Sequence, residues 1–207
     1  MVMGTLLSDA QGTFRNLDFE SAQLVFIDSP TNHWLATTNA LPGWSAFSET
    51  NQLANIQYGI NGGITPSVWL SSQTNRGSID GFFSVGLGET VFYTGSISQT
   101  GLVPANARSL LFEMITGGAI SVSLGGQNLS YIAISNALNY TLYGADISSF
   151  AGQIETLNFS AVVNYGGGLL DDIQFSTLSV PEPSAISLIF LGSGVLFYVR
   201  HRKRFRL

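Results

Sequence analysis

Trp34 closes the polar run Thr31-Asn32-His33-Trp34, an indole set among groups that form hydrogen bonds. With Tyr58 and Tyr165 it offers one readable kind of chemistry. A flat ring can stack on the apolar C–H face of a sugar while nearby Asn, Gln or Asp side chains read the hydroxyls, in a site that is mostly apolar with a few placed polar groups. The competing role for any single aromatic is core packing, and Trp44 and Phe159 are assigned to it. Catalysis has less material. His201 belongs to a basic C-terminal cluster, which leaves only His33 as a general base of that type. There is no Ser nucleophile elbow, no paired-His zinc pattern and no phosphate-cradling Gly loop followed by Lys. Gly86-Leu87-Gly88 is a fragment of a dinucleotide fingerprint that lies among strand-like segments, where a turn is expected. Two facing carboxylates suffice for glycoside hydrolysis, but no pair is singled out, and the chain is expected not to be an enzyme. With no cysteine there are no disulfides, thiolate nucleophiles or Cys-ligated metals.

The elements that must position these residues are strands. Charged residues are 10% of the 207, Gly contributes 23, and Ser, Thr and Asn fill most polar positions. That composition describes short pleated segments joined by tight turns. Period-two alternation is plain in Ile120–Leu124 and Leu157–Val163, as in a sheet packed on one side. Further strands are expected at Leu24–Ile27, Ile56–Ile60, Val68–Ser71, Ile79–Val85, Thr90–Ile97, Ser109–Ile115, Leu129–Ile134, Tyr140–Tyr143 and Leu170–Phe175. The single helical signal is Asp146–Ala151, with Asp146 placed to cap one turn and Gly152 to end it. About ten short strands over residues 14–176 imply one all-β domain, an antiparallel sandwich of the jelly-roll kind.

Several pieces of this body, taken in order, resemble the galactose-binding-like jelly roll of many carbohydrate-binding modules. They are Asn16-Leu17-Asp18-Phe19-Glu20, Leu41-Pro42-Gly43-Trp44-Ser45, Asp146 to Gln153, and the closing Leu170 to Phe175. The resemblance implies a structural calcium ion flanked by the opening and closing carboxylates, here Asp18, Glu20 and Asp172. Calcium takes six to eight oxygens, which carboxylates and loop carbonyls supply. On a regular strand Asp171 and Asp172 point to opposite faces, so at most one is expected to reach a shared site.

The C-terminus carries a different message. Residues 185–199 hold no charge and are followed by Arg200, Arg202, Lys203, Arg204 and Arg206. Fifteen apolar residues fall short of the roughly 20 of a spanning helix, but Tyr198 and snorkelling arginines extend the reach at the cytoplasmic boundary. A single C-terminal transmembrane helix is therefore expected. Basic flanks stay cytoplasmic, which puts the body outside. Val180-Pro181-Glu182-Pro183, the apolar segment and Arg200-His201-Arg202-Lys203-Arg204 together resemble the PEP-CTERM sorting signal. That signal implies a membrane exosortase as partner, cleavage near Pro181 to Pro183, and delivery to the cell surface or extracellular matrix. On this reading 177–184 is a linker, 185–199 a membrane segment, 200–207 a cytoplasmic tail, and 1–13 the end of a secretion signal whose translation start lies upstream.

Charge narrows the partners. Ahead of the tail, Arg15, Arg76 and Arg108 stand against 13 acids, a formal charge of −10. Such a body repels a phosphate backbone, so nucleic acid is not an expected partner. Two functions remain: a non-catalytic structural unit of the envelope or matrix, which the sequence favours, and a carbohydrate-binding module that holds extracellular polysaccharide.

Overall fold

In the computed structural model the described residues are 12–27, 33–59, 66–75, 77–88, 93–116, 119–162 and 167–180. They are nearly all β, in two sheets that form a sandwich-like fold. The strands are β1 (Trp34–Ala36), β2 (Ser45–Ser48), β3 (Asn51–Gln52), β4 (Asn55–Tyr58), β5 (Val68–Ser72), β6 (Phe83–Leu87) and β7 (Gly95–Leu102). They continue as β8 (Ser109–Thr116), β9 (Ile120–Leu124), β10 (Gln127–Asn128), β11 (Tyr131–Asn136), β12 (Thr141–Asp146), β13 (Ile154–Ala161) and β14 (Gly168–Ser176). Eight of them form one sheet in the order β1-β4-β5-β6-β14-β8-β12-β11, and six the other in the order β10-β9-β13-β7-β2-β3. Described neighbours pair antiparallel except β4 and β5, which run parallel over Gln57–Trp69 and Tyr58–Leu70.

The core lies between the sheets. Phe112 of β8 meets Phe159 of β13 edge to face at 5.4 Å, and Trp44 closes on Phe159 at 6.5 Å. Tyr131 and Tyr143 extend this cluster from β11 and β12, at 5.3 and 5.9 Å from Phe112. Trp44 also donates its indole N–H to the Asn16 carbonyl at 3.0 Å, so its one polar group is satisfied inside.

Where one face is wet, alternation and structure agree: β9 has the expected bounds, and β13 begins three residues earlier. Leu24–Ile27 does not become a strand; only a single bridge, Phe26 to Leu35, ties it to β1. The expected Ile79–Val85 strand starts at Phe83, because the backbone N–H of Ile79 is held by Ser84 Oγ at 2.8 Å in a local turn. The helical signal resolves as one 3-10 turn, Ser148–Phe150, with Asp146 Oδ1 accepting from the Ser148 N–H at 2.9 Å. That bond holds the Asp146 carboxyl below its ordinary pKa. Among the described residues no helix is long and apolar enough to cross a membrane. Residues 181–207, which hold most of the sorting signal and the apolar segment, lie outside the described residues.

Candidate functional site

Register decides which side chains look outward from the eight-stranded sheet. Leu35, Ile56, Leu70, Val85, Leu170 and Met114 enter the core, so their strand neighbours point to the opposite face. Along that outer face Trp34 sits opposite Gln57, Gln57 opposite Trp69, Trp69 opposite Gly86, Gly86 opposite Leu169, and Leu169 opposite Ile115. The next row reads Ser71–Ser84 on β5 and β6, then Asp171–Glu113 on β14 and β8.

At the β1 edge of this face lies a groove of about 450 Å³ lined by Ile27, Trp34, Gln52, Leu53, Ala54 and Asn55. Trp34 is 37% exposed, and Ile27 beside it 52%. The main chain fixes the pair, since the Ile27 N–H donates to the Trp34 carbonyl at 3.1 Å. Gln52 and Asn55 are exposed carboxamides at the same groove. Gln52 touches Ser45 Oγ only at 3.5 Å, leaving its amide ready for another partner. An indole, aliphatic walls and two primary amides can hold a polar ring by stacking and hydrogen bonding.

Of the three aromatics picked out from the sequence, Trp34 lines this groove. Tyr58 does not reach the surface. It is a core side chain whose hydroxyl is bonded to Ser72 at 2.6 Å and Thr74 at 3.1 Å, because it shares the inner face with Ile56 two residues away. Tyr165 lies outside the described residues. Gly86, expected in a turn, is a mid-strand residue of β6. A Cβ there would fall inside the indole of Trp69, which lies flat across it.

The opening and closing carboxylates have taken protein donors. Glu20 Oε1 accepts from the N–H groups of Phe82 and Phe83 at 2.7 and 2.8 Å and so ties the first segment to the start of β6. Asp18 Oδ1 accepts from the Glu20 N–H at 3.3 Å, and Asp172 Oδ2 from the Gln174 amide at 2.6 Å. Among the described residues no three acidic or imidazole side chains stand where they could share a metal ion. The donor set expected for calcium is thus not gathered into one cage.

A bulge corrects the expectation for the adjacent acids. The β14–β8 register slips between Asp171 and Gln174, and Asp172, at φ +40°, is the extra residue. Alternation then resumes with Ile173 in the core. Asp171 points outward but is buried, accepting from Ser84 Oγ at 2.6 Å and the Asp80 N–H at 3.2 Å on Oδ2, and from the Asp172 N–H at 2.8 Å on Oδ1. Burial pushes its pKa up to about 7 against these hydrogen bonds. Asp172 acts on Glu113 across the strand pair, and burial is the main reason the Glu113 carboxyl is raised. The sequence does carry a signal for Glu113, the lone acid in the apolar run Leu110-Leu111-Phe112-Glu113-Met114-Ile115.

No protein-family model matches the chain, and no curated protein does. Among solved structures the chain is similar to TmCBM61 in complex with β-1,4-galactotriose, at 14% identity and TM-score 0.46 over 80% of this chain and 97% of that one. It is similar to the enzymatically active domain of bacteriophage CBA120 tailspike protein 4, at 13% identity and TM-score 0.44 over 80% of this chain and 21% of that one. A third likeness is to a family 11 carbohydrate-binding module from Clostridium thermocellum in complex with a mixed-linked tetrasaccharide, at 12% identity and TM-score 0.34 over 72% and 97%. At these identities and scores the likenesses carry no argument about ligand.

Proposed function

We propose that the chain is an exported, non-catalytic β-sandwich that holds extracellular polysaccharide, with a jelly-roll topology and a removable C-terminal sorting signal. The observation that carries the binding half is the groove at the β1 edge, where the exposed Trp34 ring stands beside the exposed carboxamides of Gln52 and Asn55. The ring stacks on the apolar face of a sugar unit and the amides read its hydroxyls. This groove favours a binding module over the purely structural unit that the sequence suggested. The acidic body disfavours uronic or sulfated chains.

Glycan-array and pull-down measurements on the full chain test the reading. Binding to at least one neutral polysaccharide is expected, and Trp34→Ala should weaken it at least tenfold, about 1.4 kcal/mol. Unchanged affinity in that variant, or no binding to any polysaccharide, would sink the proposal.

The export half rests on Val180 to Pro183, the apolar 185–199 and the basic end. In this reading an exosortase-type enzyme cuts near Pro181 to Pro183 and releases the body from its transient inner-membrane anchor. Replacing Pro181, Glu182 and Pro183 by Ala should move the protein from the surface or medium into the inner-membrane fraction. An unchanged distribution on fractionation argues against the signal.

A further inference from the structure

The chain does not leave the body freely after β14. The buried Ser109 Oγ donates to the Leu178 carbonyl at 2.7 Å, and the Leu178 N–H donates to Ser176 Oγ at 3.1 Å. Two residues on, a Val180 methyl lies 3.1 Å from where a Cβ on Gly144 would stand. Val180 is half-buried there, while Thr177, Leu178 and Ser179 stay exposed.

Two irregularities of the eight-stranded sheet make that seat. Gly144 lies within β12 and outside the left-handed region, so its missing side chain supplies space rather than backbone freedom. A glycine inside a strand weakens it and marks a place where another piece of chain comes close. Ile134 stands where the β11–β12 register slips, and its Cδ1 closes on the same position at 2.5 Å. Leu111 of β8, the register partner of Gly144, brings Cδ2 to 3.1 Å from the other side. The result is an apolar slot floored by Gly144 and walled by Leu111 and Ile134, with Val180 in it.

Val180 is also the residue before Pro181-Glu182-Pro183. From Val180 to Ala185, where the apolar run begins, the chain spans five residues and at most about 18 Å. Measured from Ser176, the end of β14, the span is nine residues and about 32 Å. A small domain is about 30 Å across, so an enzyme of that size fits beside the body only on the longer tether. A chain is also cut readily only where its backbone is free of other partners.

We infer that the Gly144 slot is a clamp on the sorting signal, and that Thr177–Val180 must leave the sheet before the Pro-Glu-Pro motif is processed. The inference rests on the export reading and adds its regulation. Processing then follows the population in which this short strap is open, and the contacts at Ser109 and Gly144 set that population.

The test changes the body and leaves the motif intact. Gly144→Val fills the slot, and Ser109→Ala removes the bond to the Leu178 carbonyl. Each should speed release from the inner membrane at least threefold in a pulse-chase of the producing cell. Each should also speed chymotrypsin cleavage after Leu178 in the purified full chain in detergent. The converse uses the absence of cysteine. Gly144→Cys with Val180→Cys brings two thiols within the span of a disulfide, whose Cβ atoms lie roughly 3.5–4.5 Å apart. This double variant should cross-link under mild oxidation and be released more slowly than Val180→Cys alone until reductant is added. Release at the wild-type rate in both Gly144→Val and Ser109→Ala overturns the inference, as does a double variant that does not cross-link. Failure of the export reading looks different: replacing Pro181, Glu182 and Pro183 by Ala leaves the distribution unchanged although the cross-link still forms.

Discussion

Gly86→Ala is expected to destabilise the fold by about 3 kcal/mol, within the range for overpacking a core or losing a buried Trp. For a chain of this size that lowers Tm by roughly 6–12 °C. The addition is one methyl group, and its position makes it severe. Trp69 alternates with the core residues Val68 and Leu70, so its ring is on the outer face, laid across the backbone of β6 at its register partner Gly86. The new Cβ would occupy indole atoms, so either the ring leaves the sheet or β5 and β6 separate. The double substitution Gly86→Ala with Trp69→Ala separates this mechanism from a general dislike of Ala in the strand. It should cost little more than Trp69→Ala alone, because the clash is gone. A Gly86→Ala protein that melts within about 2 °C of wild type would show that the indole does not cover this position.

That pairing illustrates why the sequence reveals some parts of this molecule and hides others. Alternation is readable in Ile120–Leu124 because one face of β9 is apolar and the other carries Ser121 and Ser123. In Val68–Ser72 every residue is buried, so the pattern that would assign Trp69 to a face is absent. Gly86 then looks like a turn residue, since its partner is 17 positions away. Gln99 is hidden for a similar reason. It is a buried amide on β7, an interior strand of the six-stranded sheet, and it binds the N–H and C=O of Arg15 at 2.6 and 2.9 Å, a partner 84 positions away. The bulge at Asp172 is invisible to periodicity, because one inserted residue changes the face of everything after it while leaving composition untouched. Trp34 is legible from its polar neighbours in sequence. Gln52 and Asn55 are not, because they reach the groove through the pairing of β1 with β4 and the short β3 before it. Tyr58 looks like a sugar platform only when its i−2 neighbour Ile56, which shares its face, is left aside.

The acids behind that bulge lead to the other large effect, on stability against pH. Asp171 has a pKa of about 7 in the folded protein, raised first by burial, against 3.8 for the unconstrained side chain. Between those values the folded state keeps the proton that the unfolded state releases, so stability falls as pH rises through this window. The contribution is fully present below about pH 4 and lost above about pH 7. A shift of roughly three units corresponds to about 4 kcal/mol, at 1.36 kcal/mol per unit. Glu113, raised in the same direction, adds to the trend, whereas Asp146, lowered by its Ser148 bond, opposes it on the acid side. The clean observable is therefore the difference between wild type and Asp171→Asn. The amide cannot ionise, and its oxygen still accepts from Ser84 or from the bulge N–H. Urea unfolding from pH 4 to pH 8 should show the wild type losing stability relative to the variant, by an amount that grows through pH 5 to 7 and then levels. If the two curves stay parallel across that range, Asp171 is ionised throughout, and the charge within the β14 bulge must be offset by something other than a proton.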